Sequence, residues 1–393
     1  MIDFGVGVIL PAAGESVRFG GSVPKQYSVI MGKPLLSYSL EAFLKIAWVK
    51  LVVVVVDDVI KAKELIESII GCHSKVIFIK GGASRHRSIE VGLAALEKNS
   101  ADLNLEVVVI HDAVRTFIPA KLVEELIIAA NIHGAAGATR PLVSTVIKPN
   151  GDGFLEESLD RSQYVASETP QAFSISQLKR AYNKCSDFEL DNGTECLQLV
   201  LKYCGIKAKL IPGSDDLWKV TYKKDYYAAV RCLRESYLRI CLIVSEEIEP
   251  KPVSLVCDRL QEVAKVVDVL TSFKSAGFKV KQGSKYNVLI LFHMQEIQQD
   301  EQLAEFSTLL NIEELGLIIH VIEHSSGDGM QNMNVYELHR NGIQMAHQYE
   351  KLNKGVIVIH RIMSAESDMR LIELIASVIQ SDFKTYSGQT LFL

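Results

Sequence analysis

The length, composition and charge of the chain exclude several classes of protein. Its 393 residues are 48% hydrophobic, which suits two domains with sizeable cores, and a net charge of −5 without a basic run argues against a nucleic-acid-binding surface. The seven cysteines are scattered without a C-x-x-C pair, no apolar stretch reaches membrane-spanning length, and the N-terminus lacks a convincing signal peptide. We therefore expect a cytosolic protein, without disulfides or a zinc site, whose partners are small phosphorylated molecules.

The first predicted strand, residues 6–10, leads into a loop that suits phosphate groups. The strand is apolar and β-branched, as expected of a central parallel strand whose carboxyl end faces a ligand. Three small residues then leave the backbone N–H groups accessible: Ala12, Ala13 and Gly14. The cations Arg18 and Lys25 follow, and the combination predicts a nucleoside triphosphate site. The loop matches neither a P-loop nor a dinucleotide fingerprint. The alternative interpretation is an ordinary turn with surface charges.

Strand and helix patterns alternate through the first 237 residues. Strands are predicted at 6–10, 51–56, 76–79, 106–110, 136–140 and 207–211. Helices are predicted at 34–46, 59–70, 86–98, 119–133, 176–184, 194–203 and 224–236. The alternation predicts an α/β domain with a doubly wound, mostly parallel sheet.

The third predicted strand ends at a pair of glycines. Gly81 and Gly82 have no side chains, so a small ligand can approach the backbone closely there. Arg85 and Ser88 follow within the first two turns of the next predicted helix. The alternative interpretation is a glycine-rich connection whose arginines are solvated.

The fourth predicted strand, residues 106–110, is followed directly by His111 and Asp112 and, three residues later, by Arg115. Asp112 is placed to accept hydrogen bonds from substrate hydroxyls or to help position Mg²⁺, and Arg115 is placed to clamp a substrate phosphate. In the alternative interpretation Asp112 caps the next turn and pairs with Arg115. We interpret His111 as a packed residue without a chemical role.

A second domain is predicted after residue 237, giving domains 1–237 and 238–393. Further strands are expected at 240–244, 287–292, 317–322 and 355–360, with helices between them, so this part is a smaller α/β domain. Residues 327–329, Gly-Asp-Gly, only faintly match a dinucleotide loop, and no Tyr-x-x-x-Lys pair follows residue 237. We expect a non-catalytic role such as packing, dimer support or a partner surface, rather than a working reductase.

Several motifs occur in the order seen in one enzyme family. They are Leu10-Pro-Ala-Ala-Gly14 with Arg18, Pro24-Lys-Gln-Tyr27, Gly81-Gly-Ala-Ser-Arg85, His111-Asp-Ala-Val-Arg115, Asp160-Arg161, Thr169-Pro-Gln171 and Trp218-Lys-Val-Thr221. Over roughly residues 6 to 236 the chain resembles the sugar-phosphate cytidylyltransferases. The resemblance implies a Rossmann-like nucleotidyltransferase fold and transfer of CMP from CTP to a sugar phosphate, with release of pyrophosphate.

The resemblance also implies a role for each matching residue. The triphosphate is held by Arg18, Lys25 and Lys219, and the cytosine and ribose by Gly82, Arg85 and Ser88. The acceptor is held by Asp112, Arg115, Thr145, Arg161, Thr194 and Asp216, with Arg161 reaching across a homodimer interface. Magnesium or another divalent cation is implied mainly through the CTP phosphates, with Asp112 as a candidate ligand. The attacking phosphate is already ionised, so the site needs cations rather than a general base.

The acceptor is inferred from one further likeness. Bacterial methylerythritol phosphate enzymes commonly carry Arg-Asp before the threonine that matches Thr145, whereas here the segment reads Arg140-Pro-Leu-Val-Ser-Thr145. That segment and residues 193–199 resemble the animal D-ribitol-5-phosphate cytidylyltransferases, whose CDP-ribitol serves the O-mannosyl glycan of α-dystroglycan. One alternative is an enzyme that acts on methylerythritol phosphate or another pentose phosphate, and a second is a bifunctional protein with a C-terminal reductase. A third is a catalytically silent scaffold, but the presence of Arg18, Lys25, Arg161 and Lys219 together argues against it.

Overall fold

The chain divides into two compact units. The computed structural model describes residues 2–21, 23–99, 103–245, 247–271, 285–294, 309–310, 316–324, 334–350, 354–381 and 386–393. The units are Met1–Ala229 and Val230–Leu393, and the division falls within the helix Lys223–Tyr237. The boundary predicted between residues 237 and 238 lies at the end of that same helix.

The first unit contains a seven-stranded sheet and two small hairpins. Its strands are β1 (Gly5–Pro11), β2 (Val29–Ile30), β3 (Lys33–Pro34), β4 (Val49–Val56), β5 (Val76–Lys80), β6 (Leu105–Ile110), β7 (Ala135–Pro141), β8 (Val146–Pro149), β9 (Leu155–Leu159), β10 (Val165–Ser174) and β11 (Lys209–Pro212). The large sheet has the order β11-β7-β10-β6-β1-β4-β5. Only β10 runs antiparallel to its neighbours, which confirms the mostly parallel sheet predicted from the sequence.

Helices cover both faces of this sheet. The helices of this unit are α1 (Leu35–Leu44), α2 (Val59–Ile70), α3 (Arg85–Lys98), α4 (Ala120–His133), α5 (Ile175–Tyr182), α6 (Asp187–Asn192) and α7 (Cys196–Cys204), and α8 (Lys223–Tyr237) is the helix in which the division between the units falls. Alternate residues of the central strands enter two separate apolar clusters, one on each face. Burial on both faces explains the continuous run of valines in β4, which a half-exposed strand would interrupt with polar residues.

Strand β10 was not predicted, and its composition explains why. The sequence Val165-Ala-Ser-Glu-Thr-Pro-Gln-Ala-Phe-Ser174 contains a proline and several polar residues, so it has neither an apolar run nor a regular alternation. Glu168, Thr169 and Gln171 are nevertheless buried. Their side chains pair with side-chain or main-chain groups of other segments, described below, and such pairing offsets the cost of burying polar groups.

The second unit contains a six-stranded sheet in which every pair is parallel. Its strands are β12 (Arg239–Val244), β13 (Val266–Thr271), β14 (Val288–His293), β15 (Gly316–His324), β16 (Lys354–Ile362) and β17 (Gln389–Phe392), in the order β13-β12-β14-β15-β16-β17. The helices α9 (Pro250–Gln261), α10 (Val335–Glu350) and α11 (Ala365–Gln380) accompany them. The four strands predicted here are present, while β13 and β17 were missed. The Gly-Asp-Gly segment at 327–329 lies outside the described residues.

Among the described residues, no helix of either unit is both long and apolar enough to cross a membrane.

Candidate active site

A pocket opens in the first unit at the carboxyl ends of three parallel strands, β1, β5 and β6. Its volume is about 300 Å³, and its walls come from segments within 11–19, 25–26, 82–88, 112–114 and 219–221. Ligands of open α/β sheets bind at this end of the strands. The predicted site residues that line the pocket are Ala12, Ala13, Gly14, Arg18, Lys25, Gly82, Arg85, Ser88, Asp112 and Lys219.

The glycines after β5 allow two loops of the pocket to pack closely. A Cβ atom at Gly81 would lie 2.5 Å from the Cβ of Ala13, and one at Gly82 would lie 2.6 Å from the Cβ of Arg87. The helix α3 then begins at Arg85, with the Ser84 side chain accepting a hydrogen bond from the Arg87 N–H. Arg85 and Ser88 thus lie in the first turn or two of this helix, as predicted from the sequence.

Asp112 is surrounded by three cations. Its Oδ1 lies 3.1 Å from Nε of Arg85, and its Oδ2 lies 3.1 Å from Nζ of Lys219 and 3.3 Å from Nε of Arg115. Burial opposes ionisation of this carboxyl group, but the nearby positive charges of Arg85, Lys219 and Arg115 hold its pKa well below the usual range. Asp112 is therefore an ionised anchor that fixes two pocket cations.

Arg115 lies behind Asp112 rather than at the pocket wall. It is buried and donates to Asp112, to the carboxylate of Glu168 and to the carbonyl of Leu217. Glu168 also contacts Arg140, with 3.1 Å between Oε1 and Nη2. This placement favours the alternative in which Arg115 pairs with Asp112, and a clamp on the substrate phosphate stays a prediction.

Lys25 has an unusually acidic ammonium group. Burial and the nearby positive charges of Lys219 and Arg18 lower the pKa of Lys25 to about 8, although Asp112 acts in the opposite direction. Partial burial and the neighbouring cations destabilise the charged form of Lys25, and a bound anion would stabilise that form. The electrostatics of Lys25 therefore suit a triphosphate.

His111 is packed in the interior, as expected from the sequence. It is fully buried, its Nε2 lies 3.0 Å from the carbonyl oxygen of Arg115, and its ring packs edge-on against Phe43. Burial lowers the pKa of His111 to about 4, so the ring is neutral at physiological pH. It does not line the pocket.

Residues 194–196, at the start of α7, contact Arg85. Nη1 of Arg85 lies 3.3 Å from the carbonyl oxygen of Thr194 and 3.8 Å from Sγ of Cys196. Glu195 caps α7 by accepting from the N–H of Leu197, and it also accepts from the Gln171 amide at 2.9 Å. Thr194, predicted to bind the acceptor, thus contacts Arg85 through its main chain and lies outside the pocket lining.

Three further predicted acceptor residues also lie outside the pocket. Thr145 and Arg161 are exposed on the segment between β7 and β10, here called the arm, which carries the hairpin β8–β9. Nη1 of Arg161 donates there to the carbonyl of Val143 at 2.5 Å. Asp216 is exposed in the 3-10 turn Asp215–Leu217, just before Lys219. Their roles in binding the acceptor stay predictions.

Two buried residues near the pocket received no role from the sequence. Gln26 belongs to the quoted Pro-Lys-Gln-Tyr motif, and Glu168 immediately precedes the quoted Thr-Pro-Gln motif. Both are polar residues within or beside a motif, and this is the feature that could have singled them out. Their contacts are with residues distant in sequence, which a local pattern does not display.

The residues around the pocket do not fit a metal ion held by the protein alone. Asp112 is the one carboxylate among the described residues that line the pocket, and its oxygens are already paired with three cations. No group of three or more His, Cys, Asp or Glu side chains in the described segments is arranged to hold a metal ion. The candidate role of Asp112 as a metal ligand therefore stays a prediction, limited to an ion that the triphosphate carries.

Comparison with known proteins connects this site to one family. The sequence profile described as "IspD: 2-C-methyl-D-erythritol 4-phosphate cytidylyltransferase" matches residues 6–235. The D-ribitol-5-phosphate cytidylyltransferase of Xenopus tropicalis is 42% identical over 297 residues, which cover 74% of this chain and 69% of that protein. The human D-ribitol-5-phosphate cytidylyltransferase is 46% identical over 266 residues, which cover 66% of this chain and 58% of the human protein.

A solved structure has the same fold. The crystal structure of 4-diphosphocytidyl-2C-methyl-D-erythritol synthase from Anaerococcus prevotii matches with a TM-score of 0.50 and 24% identity, covering 59% of this chain and 96% of that one. These findings confirm the nucleotidyltransferase fold expected from the motifs. The chain therefore belongs to the 2-C-methyl-D-erythritol 4-phosphate cytidylyltransferase (IspD) family of nucleotidyltransferases.

Proposed function

We propose that this protein transfers the cytidylyl group of CTP to D-ribitol 5-phosphate, giving CDP-ribitol and pyrophosphate. The observation that carries the reaction type is the set of cations around one pocket: Arg18, Lys25, Arg85 and Lys219. The acceptor is proposed from the 42–47% identity to D-ribitol-5-phosphate cytidylyltransferases and from the missing acidic residue before Thr145. Methylerythritol phosphate or another pentose phosphate is the alternative, because the family profile describes a methylerythritol phosphate enzyme.

The proposed reaction depends on neutralising charge. A phosphate oxygen of the acceptor attacks the α-phosphorus of CTP, a new P–O bond forms, and the bond to the bridging oxygen breaks so that pyrophosphate leaves. The attacking phosphate has a second pKa of about 6 and needs no base to ionise it. Arg18, Lys25 and Lys219 hold the two anions in line and neutralise the transition state. Asp112 keeps Lys219 and Arg85 oriented toward the pocket.

The wider setting is proposed from the same resemblance. We propose a cytosolic homodimer in which the arm, with Thr145 and Arg161, completes the acceptor site of its neighbour, and in which CTP brings its magnesium ion. The arm exposes large apolar side chains, among them Val143, Phe154 and Leu155, and burial of these against a second subunit would suit this arrangement. The CDP-ribitol would supply ribitol phosphate for the O-mannosyl glycan of α-dystroglycan, while the second unit takes no part in the chemistry.

Competition between acceptors tests the proposal. Equal concentrations of ribitol 5-phosphate, methylerythritol phosphate, ribose 5-phosphate and ribulose 5-phosphate are supplied with limiting CTP, and the CDP products are separated. We expect CDP-ribitol to predominate clearly, because a site built to pair hydroxyls penalises an analogue that leaves them unpaired, by up to about 10⁴ in the strongest cases. Asp112→Asn should weaken CTP binding as well as this ranking, because Asp112 also anchors Arg85 and Lys219. Predominant CDP-methylerythritol would make the alternative correct.

A further inference from the structure

Gln26 is a buried polar side chain that the proposed chemistry leaves without a role. It is 3% exposed, lies in the 3-10 turn Lys25–Tyr27 and borders the pocket. Its Nε2 donates to the carbonyl of Ala12 at 2.8 Å and to the carbonyl of Gly14 at 3.1 Å. Because both partners are acceptors, the amide NH₂ must face the loop, and the amide oxygen then faces Ser16.

Ser16 completes the connection between Gln26 and the loop. Its hydroxyl donates to Oε1 of Gln26 at 3.2 Å and accepts from the backbone N–H of Lys25 at 3.1 Å. The φ angle of Ser16 is 61°, in the left-handed region that residues with side chains rarely adopt. A conformation of this kind persists when its surroundings over-determine it, and here Gln26 and Lys25 provide those surroundings.

The bonds to Gln26 also determine where the neighbouring N–H groups point. In a trans peptide the C=O and N–H groups lie on opposite sides, so the N–H groups of Ala13 and Glu15 point away from Gln26. Among the described residues, neither of these N–H groups has a hydrogen-bond acceptor. Unpaired main-chain donors beside a pocket that also holds Arg18 and Lys25 suit phosphate oxygens.

We propose that Gln26 is a positioning residue for the triphosphate. It draws two carbonyls of the loop onto one amide group, so that the loop presents N–H groups, and not carbonyl oxygens, to the phosphates. It also fixes the main chain at Lys25 through Ser16. This inference rests on the proposed CTP-dependent function and concerns only the binding of the phosphates. Gly82 and Ser88, which are predicted to bind the cytosine and ribose, line another part of the pocket.

Binding of two separate parts of CTP tests the proposal. The full-length protein is titrated in a calorimeter with inorganic tripolyphosphate and, separately, with cytidine. Gln26→Met keeps the side-chain size and removes the amide, and we expect it to weaken tripolyphosphate binding roughly tenfold or more, with cytidine binding unchanged. In steady-state assays the KM for CTP should rise while the KM for the acceptor stays within about twofold. Gln198→Met, an exposed position on α7, is the matched control and should change neither affinity.

Several outcomes would overturn the proposal. Wild-type tripolyphosphate affinity in folded Gln26→Met would remove Gln26 from phosphate binding, and parallel loss of cytidine and tripolyphosphate binding would reduce it to a folding role. If Gln26→Met does not fold, Ser16→Ala removes only the hydroxyl bridge, and unchanged tripolyphosphate affinity there rejects the idea. A wild-type protein that binds tripolyphosphate but gives no CDP-ribitol would refute the proposed acceptor while leaving the Gln26 comparison intact. Wild-type protein that binds no tripolyphosphate would refute both.

Discussion

Around Asp112, individual side chains act as a connected set of alternating charges. Lys219 and Arg115 share one oxygen of Asp112, and Arg115 in turn contacts Glu168, which contacts Arg140. A buried charge is tolerated when an opposite charge lies beside it. Removal of one member of such a pair leaves the other charge buried without compensation, which destabilises the fold. The sequence predicts Asp112 and Arg115 as site residues, because they follow a strand end. It does not predict Glu168 as the partner of Arg115, because Glu168 lies 53 residues beyond Arg115.

Lys25 should make CTP use dependent on pH. With a pKa of about 8 in the free protein, Lys25 is charged below that pH and loses its charge as the pH rises through it, so kcat/KM for CTP should fall on the alkaline side. Lys25→Arg keeps a positive charge throughout this range and should remove the alkaline decline. Lys25→Met should lower kcat/KM by roughly 10² at neutral pH.

Measurement of kcat/KM from about pH 6.5 to about pH 9.5 checks this expectation. Lys121→Met is the control, because Lys121 is an exposed lysine on α4, remote from the pocket lining. An alkaline decline of the same size and midpoint in Lys25→Arg would assign the titration to another group. Near-wild-type turnover of folded Lys25→Met would remove Lys25 from the mechanism.

The sequence predicts some structural elements much better than others. The junction between β5 and α3 was predicted, whereas the strand β10 was not. The β5–α3 junction has local features: an apolar strand, two glycines, and Ser84 as a helix cap. Strand β10 lacks such local features, because its polar residues pair with groups that are distant in the sequence. Thr169 accepts from the Asp112 N–H at 3.2 Å, and Gln171 donates to Glu195. Such a strand becomes recognisable only when its neighbours are in place.

Replacement of Gly81 should damage the pocket through packing. The new Cβ of Gly81→Ala would lie 2.5 Å from the Cβ of Ala13 and 3.0 Å from Oγ of Ser88, so the two loops must separate. Overpacking of this kind costs about 1–3 kcal/mol, and we expect a lower melting temperature and a KM for CTP raised roughly tenfold.

The double variant Gly81→Ala with Ala13→Gly provides the rescue, since it removes the atom that clashes. Gly151→Ala is the control, because a Cβ at Gly151 has no atom within 4 Å. Thermal unfolding and CTP kinetics of these three variants are compared with those of the wild type. A double variant as impaired as Gly81→Ala would show that contact with Ala13 is not the cause.

For the whole molecule, the proposed homodimer can be tested by mixing inactive subunits. Arg161→Ala damages the arm and Lys25→Met damages the triphosphate loop, so each homodimer should have low activity. A mixed dimer can pair an intact arm with an intact loop if the arm serves the neighbouring subunit. We expect co-refolded mixtures to recover up to about a quarter of wild-type activity, since half of the dimers are mixed and each has one complete site. If mixed dimers form and activity stays at the level of the parents, the arm serves its own subunit.

The pocket takes its walls from residues as far apart as Pro11 and Thr221, and this separation has a consequence for the order of synthesis. The last wall segment docks on the loop after β6, where the N–H of Val220 donates to the carbonyl of Val114 and the carbonyl of Leu217 accepts from Arg115. A chain emerging from the ribosome can pair its early strands well before this segment appears. Until residue 219 has emerged, Asp112 lacks one of its three cations. We therefore expect a nascent or truncated chain that ends before residue 219 to be inactive in cytidylyl transfer, because its pocket lacks Lys219.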